Sequence, residues 1–523
     1  MTPDAPSDSA PKLPASMTAR DRLVIYLILA SAFVVMLNET IIGVALPKIM
    51  EELRIEPATS QWLLTAFMLT MAVVIPLSGF FMRRFTSRQV YITAIALFSL
   101  GTFLAAIASD FSMLVVARVV QAVGTGVMIP LLMTTIMTLV PPHERGKMMG
   151  NITIVMSVAP ALGPLVAGVI LNSLDWRWVF WLVLPFGLAA LALGIWKMEN
   201  VSETAKVGID VLSIPLAALA FGGLVYGLSE TSNAVRGHVP LEPWIPIVIG
   251  AVALGLFIWR QIVLQRRDAP LMDLRTFAQP GFAVAIGLMA VVVAVMFGSI
   301  ILLPIYIQDG LGYEPIVAGL AVLPGGLLQG VAGPFVGRLY DRLGPRPLLV
   351  PATILSGLAL VGFATFLGTE TPIWVIIALH IAMSVSLAFT FPPLMNSAMG
   401  ALTPKLYASG SAVVGTAQQL FGAAGTAALI VVFTLGSAAA VGGAGASEAE
   451  AVVAGTHVAF LVAAFAAIAP IVLALFIRRP ASELGGGHGH GPGAGDSTDG
   501  PVHDPANDLE FPEGMTAPAG GLH

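Results

Sequence analysis

Two ionisable residues lie inside long apolar runs of this chain, Glu39 in the run that begins near Leu23 and Arg118 in "VARVVQAVGTG". An ionisable side chain at membrane depth costs roughly 2.5–3.5 kcal/mol on insertion scales, so each needs a reason to be there. Glu39 stands about seven residues, ~10 Å at 1.5 Å per residue, from the far end of its run, and Arg118 stands about as far from the end of its own run on the same side. They share a depth. Burial favours the neutral form of a carboxylate, and a nearby guanidinium favours the charged form, so moving one group relative to the other binds and releases a proton. Arginine suits this part because it stays charged throughout. If their two helices are neighbours, proton coupling by Glu39 and Arg118 is the expected chemistry, with a static ion pair that only fixes packing, or snorkelling of either group to water, as the alternatives. Gln121, three residues after Arg118, shares its helical face and is placed to orient the guanidinium or to line a pocket.

The elements that hold these groups follow from composition. The 523 residues are 57% hydrophobic and 11% charged, against about 25% charged in soluble domains. Apolar runs long enough to cross a hydrocarbon layer of ~30 Å recur along the chain, at roughly 23–46, 59–80, 90–108, 112–139, 150–172, 178–198, 209–229, 244–265, 281–304, 315–336, 348–368, 373–395, 409–433 and 456–477. This predicts an all-α membrane protein of fourteen transmembrane helices. The first run lacks the short core and small-residue cleavage pattern of a secretory signal and is expected to stay as a helix. Lysines and arginines cluster in alternate connections, and only Lys48, Arg54, Arg177 and Arg236 fall on the opposite side. Short basic loops resist translocation, which puts both termini in the cytoplasm. The Pro/Ser/Ala-rich residues 1–20 and the Gly/Pro/Asp-rich residues 480–523 are expected to be disordered tails.

The chain also repeats itself. "GFFMRRFTSRQV" from Gly79 and "GRLYDRLGPRPL" from Gly337 each join a second helix to a third on the cytoplasmic side within a group of six. The expected organisation is a six-helix half over 21–200, two linker helices within 201–275, and a second six-helix half over 276–479. Duplicated membrane halves are an architecture of secondary transporters, with the substrate site between halves near mid-membrane.

These residues resemble the major facilitator superfamily, and within it the fourteen-helix drug/proton antiporters of the EmrB/QacA type, over about Leu23 to Arg479. The chain is similar to lincomycin-resistance-type exporters of Gram-positive bacteria. "LNETIIGVALP" from Leu37 is similar to the family's first-helix motif, with Asn38 where an aspartate is more usual and Glu39 beside it. "RVVQAVGTG" from Arg118 and "APALGPLVAG" from Ala159 resemble the fourth-helix and antiporter motifs, and "WRWVFWLVLPFG" and "LPIYIQDGLGYEPIVAGLAVLPGG" are marks of the fourteen-helix branch. The cytoplasmic signature Gly-x-x-x-Asp-Arg-x-Gly-x-Arg is matched by Gly337, Asp341, Arg342, Gly344 and Arg346. In the first copy Gly79, Arg84 and Arg88 fit, but Arg83 replaces the acid and Thr86 the second glycine. The resemblance implies proton-coupled efflux of amphipathic drugs or related molecules, adjacency of helices 1 and 4, and a latch formed by these motifs that Arg83 disturbs. It also implies a hinge in helix 5 at Pro160, Gly163, Pro164 and Gly168; tight packing through Ala159, Gly163, Ala167 and Gly168 is the alternative.

A pocket for amphipathic cargo needs apolar area, aromatic faces and a few polar groups. Met36, Asn38, Trp62, Phe67, Met68, Gln121, Met156, Phe297, Gln329 and Gln418 are the candidates, with Gln419 and Asn396 as further amides. Glu230, Asp309 and Glu314 read as solvated loop acids, and His380 as a hydrogen-bonded packing residue. The absence of cysteine excludes a disulfide framework and a thiolate metal site, and "GHGHG" in the tail has no fixed ligand geometry, so no metal or cofactor is expected. No phosphate loop is present, since Gly146-Lys147 is followed by Met148, and no hydrolase motif occurs. The scattered basic residues make no nucleic-acid footprint. The expected partners are a small amphipathic substrate, protons and membrane lipid, with no nucleic acid and no obligatory protein partner. A dedicated exporter of a lipid-like or secondary metabolite fits the same residues; a channel or membrane receptor is the reading of another class.

Overall fold

The computed structural model describes residues 17–55, 57–60, 62–201, 210–234, 241–266, 270–444 and 447–477. Apart from residues 17–20, the two expected tails lie outside them. Among the described residues there are no strands, and fourteen helices are long and apolar enough to cross a membrane. We number these spans α1 (Ala19–Leu53), α2 (Trp62–Arg84), α3 (Ser87–Ala106), α4 (Phe111–Leu139), α5 (Pro142–Leu171), α6 (Arg177–Lys197), α7 (Ser213–Thr231), α8 (Trp244–Gln265), α9 (Pro280–Gly310), α10 (Ile316–Leu343), α11 (Arg346–Phe366), α12 (Ile373–Gly400), α13 (Pro404–Val441) and α14 (Glu448–Phe476).

Local chemistry sets many of the starts. Thr18, Thr86 and Ser447 each form a reciprocal capping box with the residue three positions on, Asp21, Gln89 and Glu450, and Asp110 accepts from the Met113 N–H at 3.0 Å. α1 therefore starts within the expected first tail, because Thr18 and Asp21 satisfy orphan N–H groups that a disordered segment would leave to water. Thr86 also explains the departure in the first repeat. At the matching turn of the second repeat Gly344 has φ 79°, a left-handed conformation that favours glycine, whereas the chain at Thr86 has φ −68° and uses the hydroxyl as a cap.

α1 runs through Pro47 to Leu53, beyond the expected end at residue 46. Polar contacts hold the extra turns: the Lys48 ammonium donates to the Leu171 carbonyl, and the Glu52 carboxylate accepts from Trp176 Nε1 at 2.8 Å and Arg177 Nη1 at 2.6 Å. Hydropathy loses the helix there because its last turns leave the hydrocarbon.

Within the first half α1 packs on α4, α5 and α6, α4 on α2 and α3, and α3 on α6; within the second, α12 packs on α9, α10 and α11, and α13 and α14 on α9 and each other. α7 and α8 form a hairpin whose α7 lies against both α2 and α13, along the seam between halves. The outward surface stays apolar: Trp196 is 74% exposed, Val331 76% and Phe366 67%. Such side chains are stable facing acyl chains and costly facing water.

Candidate functional site

Arg118 is fully buried. Its guanidinium carbon lies 4.0 Å from the centroid of the Phe67 ring, Nε donates to the Leu63 carbonyl at 3.4 Å, and Nη1 donates to Gln121 Oε1 at 3.0 Å. Gln121 Nε2 passes the chain on to Thr102 Oγ1 at 2.9 Å, and Thr102 donates to the Phe98 carbonyl at 2.7 Å. Helices α2, α3 and α4 thus fix one charged group from three sides. The close approach of α3 and α4 requires glycine: a Cβ on Gly101 would stand 2.6 Å from the Gln121 nitrogen, inside van der Waals contact.

Glu39 comes from α1, which packs on α4 as the resemblance implied. The residue is half-buried, and its carboxylate is within electrostatic reach of the Arg118 guanidinium, without a salt bridge of 4.0 Å or less between them. Asn38 beside it is 1% exposed, and neither of its amide atoms has a hydrogen-bond partner. On the other flank, Gly163 of α5 lies so close to Thr40 that a Cβ there would meet the Thr40 hydroxyl and stand 3.0 Å from its Cβ. Gly163 therefore seats α5 on α1 one residue from Glu39, and the side chain of Pro164 lies outside the described residues. Gly168 is exposed, and a Cβ there would meet nothing within 4 Å, so its expected part in close packing is corrected.

The remaining candidates are dispersed. Phe67 is buried under Arg118, and Met36, Met68, Met156, Gln329 and Gln418 are half-buried on five different helices. Trp62 stacks on Tyr226 of α7, centroids 6.0 Å apart, and Phe297 lies over Gly422 of α13. Pro160 is half-buried. One acid was misread: Glu230 is 8% exposed within α7, because that helix continues to Thr231, while Asp309 and Glu314 are exposed as expected. His380 is 8% exposed, but its Nδ1 has no hydrogen-bond partner, so it is not the bonded packing residue expected.

The halves meet at the end of the bundle that carries the two repeated turns. Asp341 Oδ1 accepts from the Gly146 N–H at 2.9 Å and Oδ2 from the Lys147 N–H at 3.1 Å, so a carboxylate of α10 caps the first turn of α5. Below it Gly337 faces the Gly146 carbonyl and Gly150 faces that of Gly333, with no room for a Cβ at Gly337 or Gly150. The signal was present in the sequence as two small-xxx-small pairs, Gly146/Gly150 and Gly333/Gly337, the spacing that lets helix backbones touch. In the first repeat Gly79 abuts Ala408 and Ala412 of α13, and Thr134 and Ser411 share a hydrogen bond at 2.8 Å. Arg83 turns away from any cap. It donates to the carbonyls of Pro270 and Leu271, whose chain is held in turn by Gln261 Oε1, an acceptor from the Leu271 N–H at 2.7 Å. Arg84 and Arg88 are exposed, Arg88 donating to the Ile195 carbonyl at 2.6 Å; Arg342 is exposed, and Arg346 donates to the Ile477 carbonyl at 2.8 Å.

Comparison with known proteins places this geometry. A sequence model of the Major Facilitator Superfamily matches residues 28–426. The lincomycin resistance protein LmrB of Listeria monocytogenes is 38% identical over 455 residues, 86% of this chain and 95% of the relative, and that of Bacillus subtilis is 38% identical over 457 residues with the same coverage. A multidrug resistance protein B homolog of Mycobacterium tuberculosis is 29% identical over 397 residues, 76% of this chain and 73% of the relative. Among solved structures, the human organic anion transporter TETRAN superposes with a TM-score of 0.62 at 15% identity, over 87% of this chain and all of that one. The proton:xylose symporter XylE gives 0.60 at 14% identity, over 89% of this chain and 98% of that one. Sequence model, relatives and fold agree: the chain belongs to the Major Facilitator Superfamily and is a multi-pass membrane transporter.

Proposed function

We propose that this transporter exports amphipathic drugs or related small molecules across the bacterial plasma membrane in exchange for protons, with both termini in the cytoplasm. The observation that carries the reading is the carboxylate of half-buried Glu39 within electrostatic reach of the buried Arg118 guanidinium, with no salt bridge joining them. A carboxylate locked in a salt bridge stays ionised; one that senses a fixed cation at longer range changes protonation when the distance changes. α1 is seated on α5 at Thr40 and Gly163, so motion of α5 reaches the residue next to Glu39. Alternating access then couples to proton binding through a shift of α1 relative to α4.

The printed names of the relatives, lincomycin resistance and multidrug resistance, support a drug-like cargo. Phe67, the half-buried methionines Met36 and Met68, and the unpartnered amide of Asn38 supply the apolar area and polar handle that such a cargo needs. The basic turns at Arg83, Arg84, Arg88, Arg338, Arg342 and Arg346 support a cytoplasmic address for that end. On this reading the contacts of Asp341, Gly337 and Gly150 are a closed cytoplasmic gate. The deciding experiment is efflux from proteoliposomes under an imposed proton gradient, screened across cationic, neutral and anionic amphiphiles. Transport that ignores the gradient rules out antiport, and flux without substrate counterflow indicates a pore.

A further inference from the structure

The two halves can be registered residue by residue. In α4 and α12, Pro130, Met133 and Met137 recur at the same spacing as Pro392, Met395 and Met399, and in α2 and α10 the turn glycines Gly79 and Gly337 correspond. Arg118 and His380 each stand twelve residues before the shared proline, and Phe67 and Gly325 each stand twelve residues before the shared glycine. The structure pairs them accordingly: Arg118 lies over the Phe67 ring, and His380 lies against Gly325, where a Cβ would fall on the imidazole Nδ1 and 2.8 Å from its Cε1. Where the first half has an aromatic ring and a permanent cation, the second has a vacant glycine and a titratable imidazole.

We infer that His380 is a second proton-binding residue of the transport cycle, the counterpart of Arg118 in the C-terminal half. This rests on the antiport reading above. The Nδ1 atom is buried and has no donor or acceptor, so it holds an unused proton site. Ser384, one turn along α12, points its hydroxyl into the same space opposite Gly325 and can accept from a protonated ring. No charged group acts on the imidazole. The charged residues of the helices packed on α12 stand in end turns: Asp309 on α9, Arg338, Asp341 and Arg342 on α10, Arg346 on α11, Glu144, Arg145 and Lys147 on α5, and Lys405 on α13. A proton taken up at His380 thus creates an uncompensated charge at membrane depth, which favours whichever access state brings water to the ring. Pro324 lies beside the contact and deprives α10 of one backbone donor there, so the helix can yield locally.

The test uses full-length protein in proteoliposomes with the cationic dye ethidium as probe, together with a probe-free proton titration of the purified protein. His380→Gln should keep ethidium counterflow and lower the protons moved per ethidium by one; Gly325→Ala, which displaces the ring, should do the same. Glu39→Gln should retain part of the proton movement, and the double variant Glu39→Gln/His380→Gln should lose it. The wild-type minus His380→Gln titration should show one proton between pH 4 and 8. An unchanged proton:ethidium ratio in His380→Gln, or a difference titration without that proton, overturns the inference. Should wild type move ethidium without protons, or not at all, the antiport reading for this dye fails while the titration still decides whether His380 binds a proton.

Discussion

Asp341 caps a helix that belongs to the opposite half: both of its carboxylate oxygens accept from the first turn of α5, at Gly146 and Lys147, at 2.9 and 3.1 Å. A cap supplied in trans stabilises only the conformation in which the halves touch. Removing an N-cap costs about 1 kcal/mol, roughly a fivefold shift in a two-state ratio. Asp341→Ala should therefore open the end that carries the basic turns by about that factor. The chain has no native cysteine, so a single cysteine placed at Thr134, beside the contact of α4 with α13, reports opening through its rate of labelling by an impermeant thiol reagent. Equal rates with and without Asp341 would show that the cap does not hold the gate.

The arrangement of Glu39 and Arg118 predicts a separation of functions. Glu39→Gln should cut efflux driven by a pH gradient to the share that His380 alone can couple, while substrate counterflow, which needs no net proton movement, continues. Arg118→Lys should also fail in gradient-driven efflux, because a single ammonium cannot at once reach the Leu63 carbonyl, the Gln121 side chain and the Phe67 face. Full gradient-driven transport in Glu39→Gln would remove this residue from the mechanism.

The seat of α5 on α1 is testable by volume. Gly163→Ala drives a methyl group into the Thr40 hydroxyl, and overpacking of this kind costs about 1–3 kcal/mol. The expected result is slower efflux with protein still in the membrane. Thr40→Ala in the same chain should recover part of it by removing the colliding oxygen. Absence of any rescue would place the defect elsewhere in α5.

The hairpin of α7 and α8 carries an ion pair whose pH dependence has a definite sign. Asp210 accepts from Arg260 Nε at 2.7 Å and Nη2 at 2.5 Å, and these hydrogen bonds hold its carboxyl below the usual aspartate range. A carboxyl lowered in the folded state contributes stability that is complete above its unfolded value, near 3.9, and is lost as pH falls through the folded value. The α7–α8 contact should accordingly be indifferent to pH between 5 and 8 in thermal unfolding followed by fluorescence. Asp210→Asn should lower the melting temperature across that whole range. A wild-type melting temperature that changes steeply across it while that of Asp210→Asn stays flat would contradict the assignment.

Much of this protein was legible from hydropathy, because the cost of exposing backbone and apolar side chains in a membrane is local and additive along the chain. Span number, helix type and the duplicated halves follow from that. So does the selection of Glu39 and Arg118, two ionisable residues whose position in apolar runs is itself costly. The errors came where stabilisation is polar and non-local, as in the last turns of α1, which Lys48 and Glu52 hold against α5 and α6. Glu230 was lost for a related reason, since a polar helix end reads as loop until its neighbours are known.

Tertiary structure alone decided which residues meet. That Asp341 serves α5, that Arg83 serves the segment entering α9, and that His380 faces a glycine where Arg118 faces a ring depend on distances between helices far apart in the chain. Hydrophobicity contains no term for such distances, and between helices in lipid it gives little preference for one partner over another. Small residues and polar contacts make that choice, so sequence determined the spans and packing determined the pairings on which the proposed function depends.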